Sequence, residues 1–134
     1  MKPRIVSEEE LDREFNVKAR LASGGDYGCH CAVFDGDVDL SAALAFEDNW
    51  FYALNDAATP HDIGTVVFTG NVRCKDASVS DRLMCLIVLG NLTVDRLDVF
   101  ATEMLVAGDL EVGALSDRDA HLTVLGARRE RATT

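Results

Sequence analysis

The nine residues 86–94, LIVLGNLTV, decide the fold, because the same pattern recurs along the chain. Aligned on the glycine, the other copies are AVFDGDVDL (32–40), VVFTGNVRC (66–74), MLVAGDLEV (104–112) and the weaker LTVLGARRE (122–130). The positions two and four before the glycine are apolar in every copy, and those two and four after it are apolar in all but the last. Alternate residues of a strand face the same side, so these columns are predicted to face the interior of a stack of strands.

The spacing of the glycines predicts a solenoid. Gly90, Gly108 and Gly126 are 18 residues apart, Gly70 precedes Gly90 by 20, and Gly36 precedes Gly70 by 34. The apolar residues alternate as in strands, which excludes helical repeats, and the leucine-rich repeat spacing is missing. We therefore predict a mainly β protein, a small parallel β-helix of about five to six coils with roughly three short strands in each.

Two further regularities concern the shape of a coil. An Asp or Asn follows the glycine in the first four copies, and such pairs suit a corner where the backbone needs positive φ. A six-residue spacing of apolar residues indicates three sides in each coil and leaves the left-handed hexapeptide form open. Its members are Val88, Val94, Phe100, Val106, Val112 and Val124.

The segment 41–64 permits two interpretations. Within it NWFYALNDAAT (49–59) fits the repeat frame as a degenerate copy, with Asn55 in the place of the glycine. The loop-like ATPHDIG (58–64) is equally compatible with an excursion from the stack.

The two ends of the repeat region carry different sequences. SEEE, beginning at Ser7, is a capping box that predicts a capping helix over residues 7–22, with an apolar stripe to lie on the first coil. The coils are expected over residues 29–126, followed by a basic tail, ARRERATT, over residues 127–134. The length of 134 residues predicts one domain, 1–134.

Composition restricts the possible partners. The formal net charge is −10, which argues against nucleic acid and anionic membranes and favours a basic protein partner. No run approaches the roughly 18 apolar residues of a membrane span, so a cytoplasmic protein is expected. In a reducing compartment its cysteines are expected to remain free thiols. They are Cys29, Cys31, Cys74 and Cys85.

Three of the repeats carry a family resemblance. VFTGNVRCKDASV, IVLGNLTVDRLDV and LVAGDLEVGAL resemble the coil repeats of the bactofilins, bacterial polymer-forming cytoskeletal proteins, over about residues 31–126. The resemblance implies a right-handed parallel β-helix whose filaments grow by end-to-end stacking without a nucleotide. The chain departs from the family pattern in its preceding helix, one irregular coil and variable coil length.

Residues that suggest chemistry are few. Cys29, His30 and Cys31 lack the paired spacing of a zinc site, so no metal and no cofactor are predicted. His30, His61 and His121 are scattered and accompany no nucleophile motif. A hexapeptide-type acyltransferase with one such histidine is the enzyme alternative, and a non-enzymatic protein is the expectation.

A protein-binding surface is predicted around the first coil and the aromatic segment NWFYALN. Outward-facing aromatic residues anchor protein partners, and a single-sign acidic surface steers basic ones. The same residues also suit ordinary packing and solubility. The first functional hypothesis is a bacterial immunity-type protein that neutralises a toxin, and the alternative is a bactofilin-like scaffold that associates through its coil ends. The predicted binding residues are Trp50, Tyr52, Asp35, Asp37, Asp39, Glu47 and Asp48.

Overall fold

A computed structural model describes residues 3–21, 30–40, 44–45, 63–79 and 83–130. It confirms the predicted fold class, a mainly β parallel solenoid with an N-terminal helix, but the solenoid has about four turns and not the predicted five to six coils. One helix, α1, spans Glu8–Phe15, and a 3-10 turn spans Lys18–Arg20. The strands are β1 (Arg4–Ser7), β2 (His30–Phe34), β3 (Val38–Leu40), β4 (Leu44–Ala45), β5 (Ile63–Phe68), β6 (Val72–Val79), β7 (Cys85–Val88), β8 (Leu92–Phe100), β9 (Glu103–Val106), β10 (Leu110–Arg118), β11 (His121–Val124) and β12 (Arg128–Glu130).

Each coil contributes one strand to each of two sheets. The first sheet has the order β1-β2-β5-β7-β9-β11, and the second has the order β12-β10-β8-β6-β3, with β4 also pairing with β6. All described pairs are parallel except β1 with β2. Val72, Leu92 and Leu110 occupy one register column and are buried. The predicted stacking of like residues is therefore confirmed.

The long strands of the second sheet form two sides of each coil. In β8, Val94 and Leu97 are both buried while Asp95 and Arg96 between them are both exposed. Two consecutive outward side chains shift the alternation by one residue, because successive side chains of a regular strand face opposite sides. The six-residue spacing therefore fails at Phe100, which is 38% exposed.

The first sheet is buried on both faces in its four central strands, β2, β5, β7 and β9. Its inner face belongs to the solenoid core, and its outer face packs against the N-terminal segment. The outer-face cluster consists of Val6, Leu11, Val17 and Leu21 from that segment and Cys31, Val33, Val67, Cys85, Ile87 and Leu105 from the sheet. The segment thus lies along the side of the solenoid, and β1, not the helix, covers the first strand edge.

The capping box is confirmed, but the helix is shorter than the predicted span of residues 7–22. The amide N of Glu10 donates to Oγ of Ser7 (3.1 Å), and Ser7 N donates to Oε1 of Glu10 (3.5 Å). The helix ends because Asn16 adopts a left-handed conformation, φ 53°, with its N–H donating to Asp12 O. Val17 lies beyond the end of the α-helix and is nevertheless buried. Neither helical element of the described residues is long and apolar enough to cross a membrane.

Candidate functional site at the coil corner

A ladder of side-chain hydrogen bonds runs along the corner between the two sheets. Oδ1 of Asp37 accepts from Asn71 N (2.8 Å), and Oδ1 of Asn71 accepts from Asn91 N (2.9 Å). Oδ1 of Asn91 accepts from Asp109 N (2.8 Å), and Oδ1 of Asp109 accepts from Ala127 N (2.8 Å). We call Asp37, Asn71, Asn91 and Asp109 the corner ladder. Each of these side chains is fixed by the backbone of the following coil.

The glycines of this corner are required mainly by close stacking. A Cβ on Gly90 would lie 2.5 Å from Gly70 O, and one on Gly108 would lie 2.5 Å from Gly90 O. The backbones are in direct contact, since Gly108 N donates to Gly90 O at 3.0 Å. Positive φ was predicted at these corners, and of the corner glycines only Gly36 shows it, with φ 92°. At the later corners that prediction is wrong, because it is the neighbouring coil that excludes a side chain.

Two of the predicted binding residues meet beside the ladder. Asp37 and Asp39 line a shallow depression of about 310 Å³, which we call the corner groove. Asp39 and Arg73 are exposed, and Asp39, Arg73 and Thr93 succeed one another in a single outward column of the second sheet. The groove is lined by Asp37, Val38, Asp39, Asn71, Val72, Arg73, Asn91 and Thr93.

Asp35 has a different role from its two neighbours. Its Oδ2 accepts from Nε of Arg4 (2.6 Å), and Arg4 also pairs with Glu14 (2.7 Å). The hydrogen bonds from Arg4 hold the pKa of Asp35 below its usual range, and those to the two carboxylates raise the pKa of Arg4. Asp35 therefore fastens β1 and α1 to the end of β2, and its charge is compensated within the chain.

The remaining predicted binding residues are not placed by the structure. Trp50, Tyr52, Glu47 and Asp48 lie outside the described residues, as does the segment 46–62 that contains them. The aromatic part of the predicted surface therefore stays a prediction.

The Cys-His-Cys motif is only partly described. His30 is half-buried on β2, Cys31 is buried, and Cys29 lies outside the described residues, as does His61. Among the described residues, no group of three or more His, Cys, Asp or Glu side chains is arranged to hold a metal ion. The three described cysteines, Cys31, Cys74 and Cys85, are buried thiols that form no disulfide.

Cys74 illustrates the environment of these thiols. Burial, together with the charges of Asp76 and Asp95, raises the pKa of its thiol to about 11. The thiolate is the reactive form of cysteine, so this side chain behaves as part of the core and not as a nucleophile.

A second depression, which sequence reasoning missed, lies on the other half of the second sheet. This side groove measures about 390 Å³ and is lined by residues of β6, β8 and β10. Asp98 pairs there with Arg118 (3.6 Å), whose guanidinium lies 5.1 Å from the ring centre of Phe100. The alignment of the repeats could have indicated this groove, because it places Asp76 beside Arg96 on neighbouring strands. The polar and charged lining residues are Asp76, Ser78, Arg96, Asp98 and Ser116.

Comparisons with protein-family models, curated proteins and solved structures find no match. A role for the corner groove is therefore proposed from the chemistry of its own residues.

Proposed function

We propose that the protein is a non-catalytic bacterial protein-binding module whose corner groove accepts basic side chains of a partner. An immunity-type role, in which the partner is a toxin neutralised by binding, is the specific form of this proposal. The observation that carries it is the fixed position of Asp37 beside Asp39 in an exposed groove. Trp50 and Tyr52, which lie outside the described residues, are the proposed aromatic anchors of the same partner.

The corner ladder favours binding because it fixes the groove in advance. A side chain already held by a hydrogen bond loses little rotamer freedom when a partner arrives, and that loss is a major cost of association. The ladder uses Oδ1 of Asp37 and of Asn71, and each side chain has a second polar atom in its terminal group. Oδ2 of Asp37 and the carboxylate of Asp39 suit the donors of lysine and arginine, whereas the second terminal atom of Asn71, Nδ2, is itself a donor.

The groove chemistry favours binding over catalysis. Its lining contains carboxylates, amides, one guanidinium and one hydroxyl, but neither histidine nor cysteine. Nucleophilic catalysis needs a nucleophile within hydrogen-bond reach of a base that activates it. The exposed acids Asp37 and Asp39 instead provide the field that attracts a basic surface.

Two matched charge variants test the proposal. Asp37→Asn/Asp39→Asn removes two negative charges from the corner groove and leaves an Oδ1 acceptor in the ladder. Asp76→Asn/Asp98→Asn removes the same charge from the side groove. Association with a basic protein encoded by a neighbouring gene is measured by surface plasmon resonance at low and high salt.

The two variants should behave differently if the corner groove is the binding site. The corner variant should associate about tenfold more slowly at low salt, with a weaker dependence on salt, because charge pairs at an interface act strongly on the association rate. The side-groove variant should associate at the rate of the unmodified protein. Equal behaviour of the two variants would remove the corner groove from the proposal.

A bactofilin-like, self-associating structural scaffold is the second candidate function. It is favoured by β11, whose only described partner strand is β9. An unpaired strand edge is a template for pairing with another chain. Sedimentation across protein concentration tests this candidate, because a concentration-independent monomer would contradict it.

A further inference from the structure

The two ends of the first sheet differ. At the N-terminal end, β1 pairs antiparallel with β2 through four residue pairs, from Arg4 with Val33 to Ser7 with His30. At the C-terminal end, β11 pairs with β9, and within the described residues no strand pairs with its other side. Within the described residues, β1 and β11 are thus the two edge strands of this sheet, and they differ because β1 runs antiparallel to its neighbour whereas β11 continues the parallel stack. We call the unpaired side of β11 the open edge.

The open edge presents a defined set of backbone groups. His121 N donates to Thr102 O (3.1 Å), and Leu125 N donates to Val106 O (2.9 Å), so these amides face the preceding coil. Because backbone groups alternate in direction along a strand, the N–H and C=O groups of Leu122 and Val124 face the open edge. The side chains of Leu122 and Val124 are half-buried and pack against the solenoid core.

We propose that this edge binds a second copy of the chain, forming a closed two-fold dimer in which β11 pairs antiparallel with its counterpart around Thr123. The inference rests on the second candidate function, self-association, and restricts it to two chains. In this register Leu122 lies opposite Val124 of the second copy, and the pair exchanges both N–H···O bonds. The two symmetric pairs use all the edge-facing groups of Leu122 and Val124 in both copies.

The same two-fold axis also keeps the apolar interior continuous. An axis that relates antiparallel strands of one sheet is perpendicular to that sheet, so both copies present the same face to the interior. Leu122 and Val124 of one copy then continue the inward columns of the other. Half-buried apolar side chains at the end of each solenoid become covered, which stabilises the contact.

Charges at the end of the solenoid agree with this axis. A two-fold axis through the centre of β11 exchanges the other two sides of the coil. Arg128 and Arg129 lie on one of these sides, and Asp117 lies on the other, followed by Asp119 in the turn after β10. All four are exposed, as are Arg118 between the two aspartates and Glu130, which pairs with Arg128 (3.4 Å). With these two residues included, one side keeps one positive charge in excess and the other one negative charge, so the contact brings opposite net charges together.

The proposed two-fold contact closes on itself, because it uses the β11 edge of both copies. At the other end of the sheet the edge strand is β1, which Arg4 fastens through Glu14 and Asp35. The apolar cluster beneath Leu11 and Val17 holds the same segment against the sheet. Addition of a third copy requires a different contact, because neither β11 edge remains unpaired in the dimer.

The test combines sedimentation velocity with two edge variants of the full chain. Thr123→Lys places two like charges opposite each other at the axis, and Val124→Pro removes one edge-facing N–H from each copy without removing a bond to β9. Ser78→Lys, on β6, is the charge-matched control. Circular dichroism and thermal unfolding confirm that each variant is folded.

The expected result is a monomer–dimer equilibrium with no larger species. Thr123→Lys should weaken the dimer about fivefold and Val124→Pro about tenfold or more, because the proline removes two hydrogen bonds from the symmetric contact. Ser78→Lys should dimerise like the unmodified protein.

Three results would overturn this geometry. A monomer at every concentration removes the dimer and the scaffold, and leaves the binding-module proposal standing. A dimer unaffected by both edge variants places the contact elsewhere. An open-ended size series insensitive to these variants rejects the closed dimer but retains self-association.

Discussion

Replacement of Gly90 by alanine tests the close contact between coils most directly. The added Cβ would lie 2.5 Å from Gly70 O, 2.6 Å from Gly70 C and 2.7 Å from Oδ1 of Asn71. Ordinary contacts of a Cβ begin near 3.4 Å, so about 1 Å of overlap with backbone must be relieved by separating the coils. Overpacking typically costs about 1–3 kcal/mol, and an overlap with immobile backbone belongs at or above the upper end. We therefore expect a loss of about 3 kcal/mol or more.

Gly36→Ala is the matched control, because a Cβ there meets nothing within 4 Å. Its cost comes from φ of 92° alone, about 1–2 kcal/mol. Urea unfolding of both variants gives the two free energies, and amide hydrogen exchange at Gly70 and Gly108 reports local opening even if unfolding is not two-state. If Gly90→Ala costs no more than Gly36→Ala, the contact between coils is looser than the structure shows and our reasoning about the corner is wrong.

Two further predictions concern the corner ladder and the buried thiol. Asn91→Ala removes the acceptor of the Asp109 N–H and should lower the free energy of unfolding in urea by about 1 kcal/mol. Asn91→Asp keeps an Oδ1 acceptor and should cost less. Equal losses for the two variants would contradict the ladder. The raised pKa of Cys74 means that the folded state holds the neutral thiol, so its contribution to stability is complete below pH 9.0 and is lost as the pH rises toward about 11. Free energies of unfolding measured across that window should fall less steeply for Cys74→Ala than for the unmodified protein, and parallel curves would count against the assigned pKa.

The stacking was predictable because the repeats carry their own alignment. A glycine followed by Asp or Asn marks the same point of successive coils, so equal offsets from it place Val72, Leu92 and Leu110 in one column. That inference needs only the two-residue period of strands and the near-constant interval between corners. No residue type in the sequence marks the point after Asp95 where the alternation of inward and outward side chains shifts by one residue. Phe100 was therefore assigned to the wrong side of its strand.

The role of Asp35 was not predictable from its position in the sequence. Its partner Arg4 lies 31 residues away and meets it only because β1 returns antiparallel along β2. Local pattern grouped Asp35 with Asp37 and Asp39 as one acidic surface, and the structure separates it. Likewise the apolar residues Val17 and Leu21 suggested a longer α-helix. Both are buried, but they flank a 3-10 turn.

The repeats show which columns of the corner are constrained by the stacking of the coils. The glycine column is invariant in all five copies, because each later glycine is in backbone contact with the one before it. The ladder column is restricted to Asp or Asn in four copies, because each side chain must present an oxygen to the next coil. Two residues further on, the outward column contains Asp39, Arg73 and Thr93, three different chemistries at equivalent positions. The stacking therefore constrains the first two columns and tolerates variation in the third, so the partner specificity of the groove is expected to reside in that third column.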